Sequence, residues 1–155
     1  MSPELRGGPF LPTDLEDEIN LINLNITGAV HLAKYVVKQM AERGEGRILI
    51  TSSIAAEMPA PFEAVYGASK AFLLSFAEAL RNELKDTKIT VTALQPGPTD
   101  TNFFNRANVL DTKVGADKKD DPADVARDGF EALMAGKDHV VAGAFKTRSS
   151  RPWRR

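Results

Sequence analysis

The chain has 155 residues, enough for one domain with a buried core, and its 43% hydrophobic and 26% charged residues are typical of an ordinary globular protein rather than a disordered one. A formal net charge of −1 supplies no field for general nucleic-acid or anionic-membrane binding, so neither partner is expected. The absence of cysteine excludes a disulfide framework, a thiol nucleophile and a thiolate metal site. Residues 1–10 lack a basic-then-apolar leader and no apolar run reaches bilayer length, which makes the cytoplasm the expected location.

In chain order, residues 1–12 read as an irregular lead-in broken by Gly7, Gly8 and Pro12. Thr13-Asp14-Leu15-Glu16 has the pattern of a capping box, with Thr13 as N-cap and Glu16 reaching back. Behind it Leu15, Ile19, Ile22, Ile26, Ala29, Val30, Ala33, Val37 and Met40 recur at helical spacing. They predict one long helix over 14–43, stopped by Gly44. Residues 47–52 are a short β-forming apolar run, which fits a buried parallel strand. A loop over 55–61 is held by Pro59 and Pro61.

From 63 to 85 the spacing is helical again, with Ala64, Ala68, Phe72, Phe76, Ala79, Leu80 and Leu84 on adjoining faces. Residues 88–94 form the next strand, ended sharply by Pro96-Gly97-Pro98. Residues 100–120 are polar and irregular. Asp121-Pro122 opens a helix running to about 135, with Gly136 at C′, and 139–142 form a last short strand. Residues 144–155 are a basic tail expected to be disordered. Helices and strands thus alternate, which argues for an α/β fold with a parallel sheet of about three strands.

Tyr66-Gly67-Ala68-Ser69-Lys70 sets a phenol and an ammonium at i and i+4, on one helix face. Such a pair is usually a solvated surface pair. Context argues otherwise, because Ser53 ends the preceding strand, and ligands bind in the crevice beyond the carboxyl ends of parallel strands. Plainer readings exist for the other polar residues. Ser52 and Ser53 could cap a strand end, Asn25 could be a polar group bonded to backbone, and Pro96-Gly97 could be a loop breaker. His31 and His139 are too far apart in sequence to suggest a metal pair and read as structural or exposed. Ser53 is not in the G-x-S-x-G elbow of a hydrolase.

In these residues the chain resembles the short-chain dehydrogenase/reductase family. Tyr66-Gly-Ala-Ser-Lys70 is similar to its YxxxK motif, and Ser53 stands at the spacing of its catalytic serine. Asn25-Ile-Thr-Gly28 resembles its NxxG element, and Leu94-Gln-Pro-Gly-Pro-Thr-Asp-Thr101 its PG loop. The likeness runs over roughly 14–143. It implies a partial Rossmann-type fold retaining the family's strands 5, 6 and 7.

By the same resemblance, hydride would pass between NAD or NADP and a small carbonyl or alcohol substrate. Asn25, Ser53, Tyr66 and Lys70 would be the catalytic residues. Tyr66 would be the acid/base, Ser53 would hydrogen-bond the substrate oxygen, Lys70 would hold the nicotinamide ribose and favour the tyrosinate, and Asn25 would anchor a water leading to Lys70. Tyr66, Lys70, Pro96, Gly97, Thr99 and Thr101 would contact the cofactor. Bringing a tyrosine from a pKa of about 10 towards 7 needs ~4 kcal/mol of phenolate stabilisation. One cation ~4 Å away supplies that only at an effective dielectric near 20, so the pocket must be partly desolvated.

The family's TGxxxGxG loop and NNAG-type turn do not occur in the 155 residues. The loop is where backbone N–H groups and a helix N-terminus hold a pyrophosphate. Weak or absent cofactor binding is therefore expected of the chain alone, which would then be inactive. The outer edge of the 47–52 strand should lie bare, and a homo-oligomer through helices 14–43 and 63–85 is expected, with Ile26, Val30, Phe72 and Phe76 as candidate contacts. The alternative is a non-catalytic remnant that associates with itself or with full-length relatives.

Overall fold

The computed structural model describes residues 8–101 and 119–143. Helix α1 (Leu15–Ile22) is capped by Asp14, whose Oδ1 accepts from the Glu16 N–H at 2.8 Å. The cap thus lies one residue beyond Thr13. Thr13 is drawn off because its hydroxyl donates to the Phe10 carbonyl at 2.8 Å and also contacts the Glu18 carboxylate.

The long helix of the sequence reading is interrupted. Asn23–Gly28 is a π-helical segment, and the regular helix resumes as α2 (Ala29–Arg43). A local insertion of this kind frequently marks a functional position, and Asn25 lies inside it. Gly44, at φ 86°, ends α2 in the left-handed conformation that glycine adopts without a Cβ clash.

Strand β1 (Gly46–Thr51) leads through a 3₁₀ turn (Ile54–Ala56) to α3 (Ala64–Glu83), then β2 (Ile89–Pro96). Helix α4 (Pro122–Met134) and strand β3 (His139–Ala142) follow. Asp121 caps α4 through a 2.7 Å bond from the Ala123 N–H, with proline in the first turn. The sheet has three parallel strands in the order β1-β2-β3, as the alternation of elements predicts. Within the described residues β1 pairs with β2 alone.

Alternation along the strands sends side chains to two faces. On one, Leu74 and Ala77 of α3 pack on Val91 and Ala93, with Ile48 and Ile50 against them. On the other, Val125 of α4 meets Leu94 and Ala142, joined by Leu49 and Val140. Each fully buried valine or leucine contributes about 1.5–3 kcal/mol. Arg81 ties the layers together, donating to the Val91 carbonyl at 2.8 Å and the Gly136 carbonyl at 3.0 Å. Among the described residues no helix is long and apolar enough to cross a membrane. The lead-in as far as residue 7, residues 102–118 and the basic tail lie outside the described residues.

Candidate functional site

The site lies at the carboxyl end of β1 and is built by three elements. Ser53 leaves the strand in extended conformation and caps the 3₁₀ turn, its Oγ accepting from the Ala55 N–H at 3.2 Å. The same hydroxyl hydrogen-bonds the Tyr66 phenol. Its neighbour Ser52 is 2% exposed and donates to the Lys70 carbonyl at 2.7 Å, which fastens α3 to the strand end. Ser52 also completes the sheet pattern, its N–H donating to the Leu94 carbonyl at 2.8 Å.

Helix α3 brings Tyr66 and Lys70 to this point one turn apart. Lys70 Nζ stands 5.6 Å from the centroid of the Tyr66 ring and donates to the Thr51 carbonyl at 3.2 Å. Burial pushes the Tyr66 phenol up to about 12, with the Ser53 hydrogen bond opposing and the Glu63 carboxylate reinforcing the rise. Burial lowers the Lys70 ammonium from its ordinary value and raises the Glu63 carboxyl. The phenol is therefore protonated throughout the neutral range, in the form that donates a proton.

Asn25 enters from the π-helical segment. Its Nδ2 donates to Ser69 Oγ at 2.9 Å, and Ser69 Oγ donates in turn to the Tyr66 carbonyl at 2.7 Å. Asn25, Ser53, Tyr66 and Lys70 thus share one neighbourhood. Pro96, the last residue of β2, and Gly97, Thr99 and Thr101 in the loop leaving it form a second group. There Thr99 Oγ1 donates to the Gly97 carbonyl at 2.9 Å, and a bridge from Thr99 to Asp120 steadies the loop.

Four participants escaped the sequence reading: Ser69, Glu63, Gln95 and Glu57. Gln95, 2% exposed at the end of β2, donates from Nε2 to Glu57 Oε1 at 3.0 Å. A polar residue closing an apolar strand was its available signal. Phe62, just ahead of α3, has φ 68°, and its carbonyl accepts from the Gly8 N–H at 2.7 Å. A bulky residue held in the left-handed region costs about 1–3 kcal/mol.

The family profile described as short chain dehydrogenase matches residues 5–110, more than half of the chain. The chain belongs to the short-chain dehydrogenase family. It is 42% identical over 105 residues to an uncharacterized short-chain type dehydrogenase/reductase of Sinorhizobium fredii, covering 67% of this chain and 41% of that protein. Against dehydrogenase/reductase SDR family member 7B of Rattus norvegicus it is 33% identical over 144 residues, covering 89% and 44%. Among solved structures, a short-chain dehydrogenase from Sphingobium yanoikuyae in complex with NADPH superposes with a TM-score of 0.80 at 26% identity, over 88% of this chain and 52% of that one. One from Burkholderia cenocepacia in complex with NADP gives 0.76 at 26%, over 92% and 56%. This short-chain dehydrogenase chain therefore spans about half the length of the relatives it matches, and its three-stranded sheet is part of their Rossmann-like fold.

Proposed function

We propose that the chain carries the acid/base and nicotinamide-facing half of an NAD(P)-dependent oxidoreductase acting on a small carbonyl or alcohol. One observation carries the reading: a half-buried, protonated phenol shares a hydrogen bond with a serine at the end of a parallel strand, with a partly desolvated lysine one helical turn away.

The residues present fit the nicotinamide end of such a cofactor. Lys70 is a cation whose hydration burial has reduced, suited to ribose hydroxyls, and the 96–101 loop offers backbone and the Thr99 and Thr101 hydroxyls at the end of β2. When bound, the cofactor supplies or accepts hydride. Tyr66 gives its hydroxyl proton to the substrate oxygen in reduction and takes it back in oxidation. Ser53 donates a hydrogen bond to the same oxygen as negative charge develops there. Lys70 favours the phenolate once the proton has left. Asn25 keeps the Tyr66 turn of α3 in place through Ser69 and, by the family resemblance, anchors a water leading to Lys70.

No Gly-rich pyrophosphate loop occurs in the 155 residues. The chain alone should hold NADH or NADPH only at about millimolar concentration, because most anchoring contacts are missing. Joining a relative's Gly-rich half ahead of Met1 should give nicotinamide-dependent carbonyl reduction, followed by absorbance. A folded, cofactor-binding fusion without turnover on any carbonyl tried contradicts the reading.

The helices also support self-association. Ile22, Ile26, Ala64, Val65, Ala68 and Phe72 line an open apolar groove of about 450 Å³ between the π-helical segment and α3. Phe72, 37% exposed, leaves the groove open, and Val30, also 37% exposed, adds apolar surface beside it in sequence on α2. Phe76 stacks on Phe72, with ring centroids 5.9 Å apart. A second copy is the proposed partner, across a twofold axis.

A further inference from the structure

Gln95, next to last in β2, buries an amide where the strand's alternation calls for an apolar side chain. It follows Val91 and Ala93 on the face that α3 covers. Burying an amide without a partner is unfavourable. This amide finds one 38 residues away in sequence, donating to Glu57 Oε1 at 3.0 Å. Its partner is a carboxylate, so the bond is charge-assisted and among the stronger kinds.

Glu57 stands at the end of the 3₁₀ turn that Ser53 begins. One short turn of chain thus has the Ser53 hydroxyl at its start and the Gln95 amide fastened to its end. Next in sequence to Gln95 are Pro96 and Gly97, the start of the loop proposed to face the nicotinamide. The amide therefore lies between the two groups of site residues.

We propose that Gln95 is a positioning residue, which through Glu57 holds the serine turn so that the Ser53 hydroxyl stays on the Tyr66 phenol, and links that turn to the 96–101 loop. The role deepens the acid/base reading of Tyr66 and Ser53 and rests on it, but its test needs no turnover. The chain contains two tyrosines, so labelling the tyrosine Cζ carbon with carbon-13 gives two NMR signals, and Tyr66→Phe assigns them. Ser53→Ala defines the displacement caused by losing the serine hydrogen bond.

Gln95→Leu should displace the Tyr66 signal in the same direction, and should add nothing when Ser53 is already alanine. Glu57→Ala, a change at an exposed residue, should do the same and decides the matter if Gln95→Leu fails to fold. Glu57→Gln still offers an oxygen to the amide and should return the signal to its wild-type position. A Tyr66 signal unmoved by Gln95→Leu or by Glu57→Ala overturns the proposal, as does an equal displacement in the Ser53→Ala background. Failure of the oxidoreductase reading would show differently, as a fused protein without turnover in which these displacements persist.

Discussion

Asn25 and Ser69, 44 residues apart, are joined by a 2.9 Å hydrogen bond that anchors the π-helical segment to the helix bearing Tyr66. Ser69 is 1% exposed, so the bond is shielded from water at one end. Asn25→Ala removes the donor, and losing a partner at a buried polar group costs about 1–3 kcal/mol. Urea unfolding should show a lower midpoint at unchanged slope. An unaltered midpoint would mean the relay holds nothing together.

Contact between the 55–61 loop and α3 is tight at Gly67. A Cβ there would stand 2.8 Å from Ala60 Cβ, closer than such carbons approach. Overpacking of this kind costs about 1–3 kcal/mol, so Gly67→Ala should lower stability by that amount. Adding Ala60→Gly should recover part of the loss, because the clash is between those two carbons. Independent, additive effects in the double-mutant cycle would place the strain elsewhere.

The parts legible in the sequence are those fixed by period and punctuation. The 139–142 strand, the Asp121-Pro122 helix start and the Gly44 stop follow from residues whose backbone preferences leave few options. Tyr66 and Lys70 were visible because helical spacing alone sets them on one face. The π-helical break was not, because apolar residues recur through it at near-helical intervals, and the bond from Asn25 to Ser69 of α3 is a tertiary contact 44 residues away in sequence. Thr13 and Asp14 are both good caps, and only the hydrogen bond from Thr13 to Phe10 decides between them. Glu57 and Gln95 meet only because β1 and β2 are adjacent, a tertiary fact with no local signature.

Tyr66 also makes a prediction about pH. Its folded pKa, pushed up to about 12, lies above the ordinary tyrosine value of 10.0 expected once unfolded. Between those values the unfolded chain loses the proton while the folded chain keeps it, so rising pH draws the protein towards unfolding. The stabilisation is complete below pH about 10 and is lost towards 12. Thermal melts should fall more steeply over that window in the wild type than in Tyr66→Phe. Parallel slopes would show that the fold does not raise the phenol's pKa.

Self-association through the apolar groove should respond to a single charge. Ala68 lines the groove and is exposed, so glutamate there fits the fold but burdens an interface. Light scattering at tens of micromolar should give a dimer mass for the wild type and a monomer mass for Ala68→Glu. A monomeric wild type would remove this surface from the account.

The most direct measurement is the turnover of Tyr66→Phe in the protein completed with a Gly-rich half. The change keeps the ring and removes the hydroxyl that shares a hydrogen bond with Ser53. General acid/base catalysis is worth about 10²–10⁴-fold, so kcat should fall at least a hundredfold with cofactor affinity little changed. Lys70→Ala should lower turnover and cofactor affinity together, and Ser53→Ala should lower turnover alone, since its partner is the substrate oxygen. Near-normal kcat in Tyr66→Phe would contradict the account and leave Tyr66 and Lys70 as a structural pair on α3.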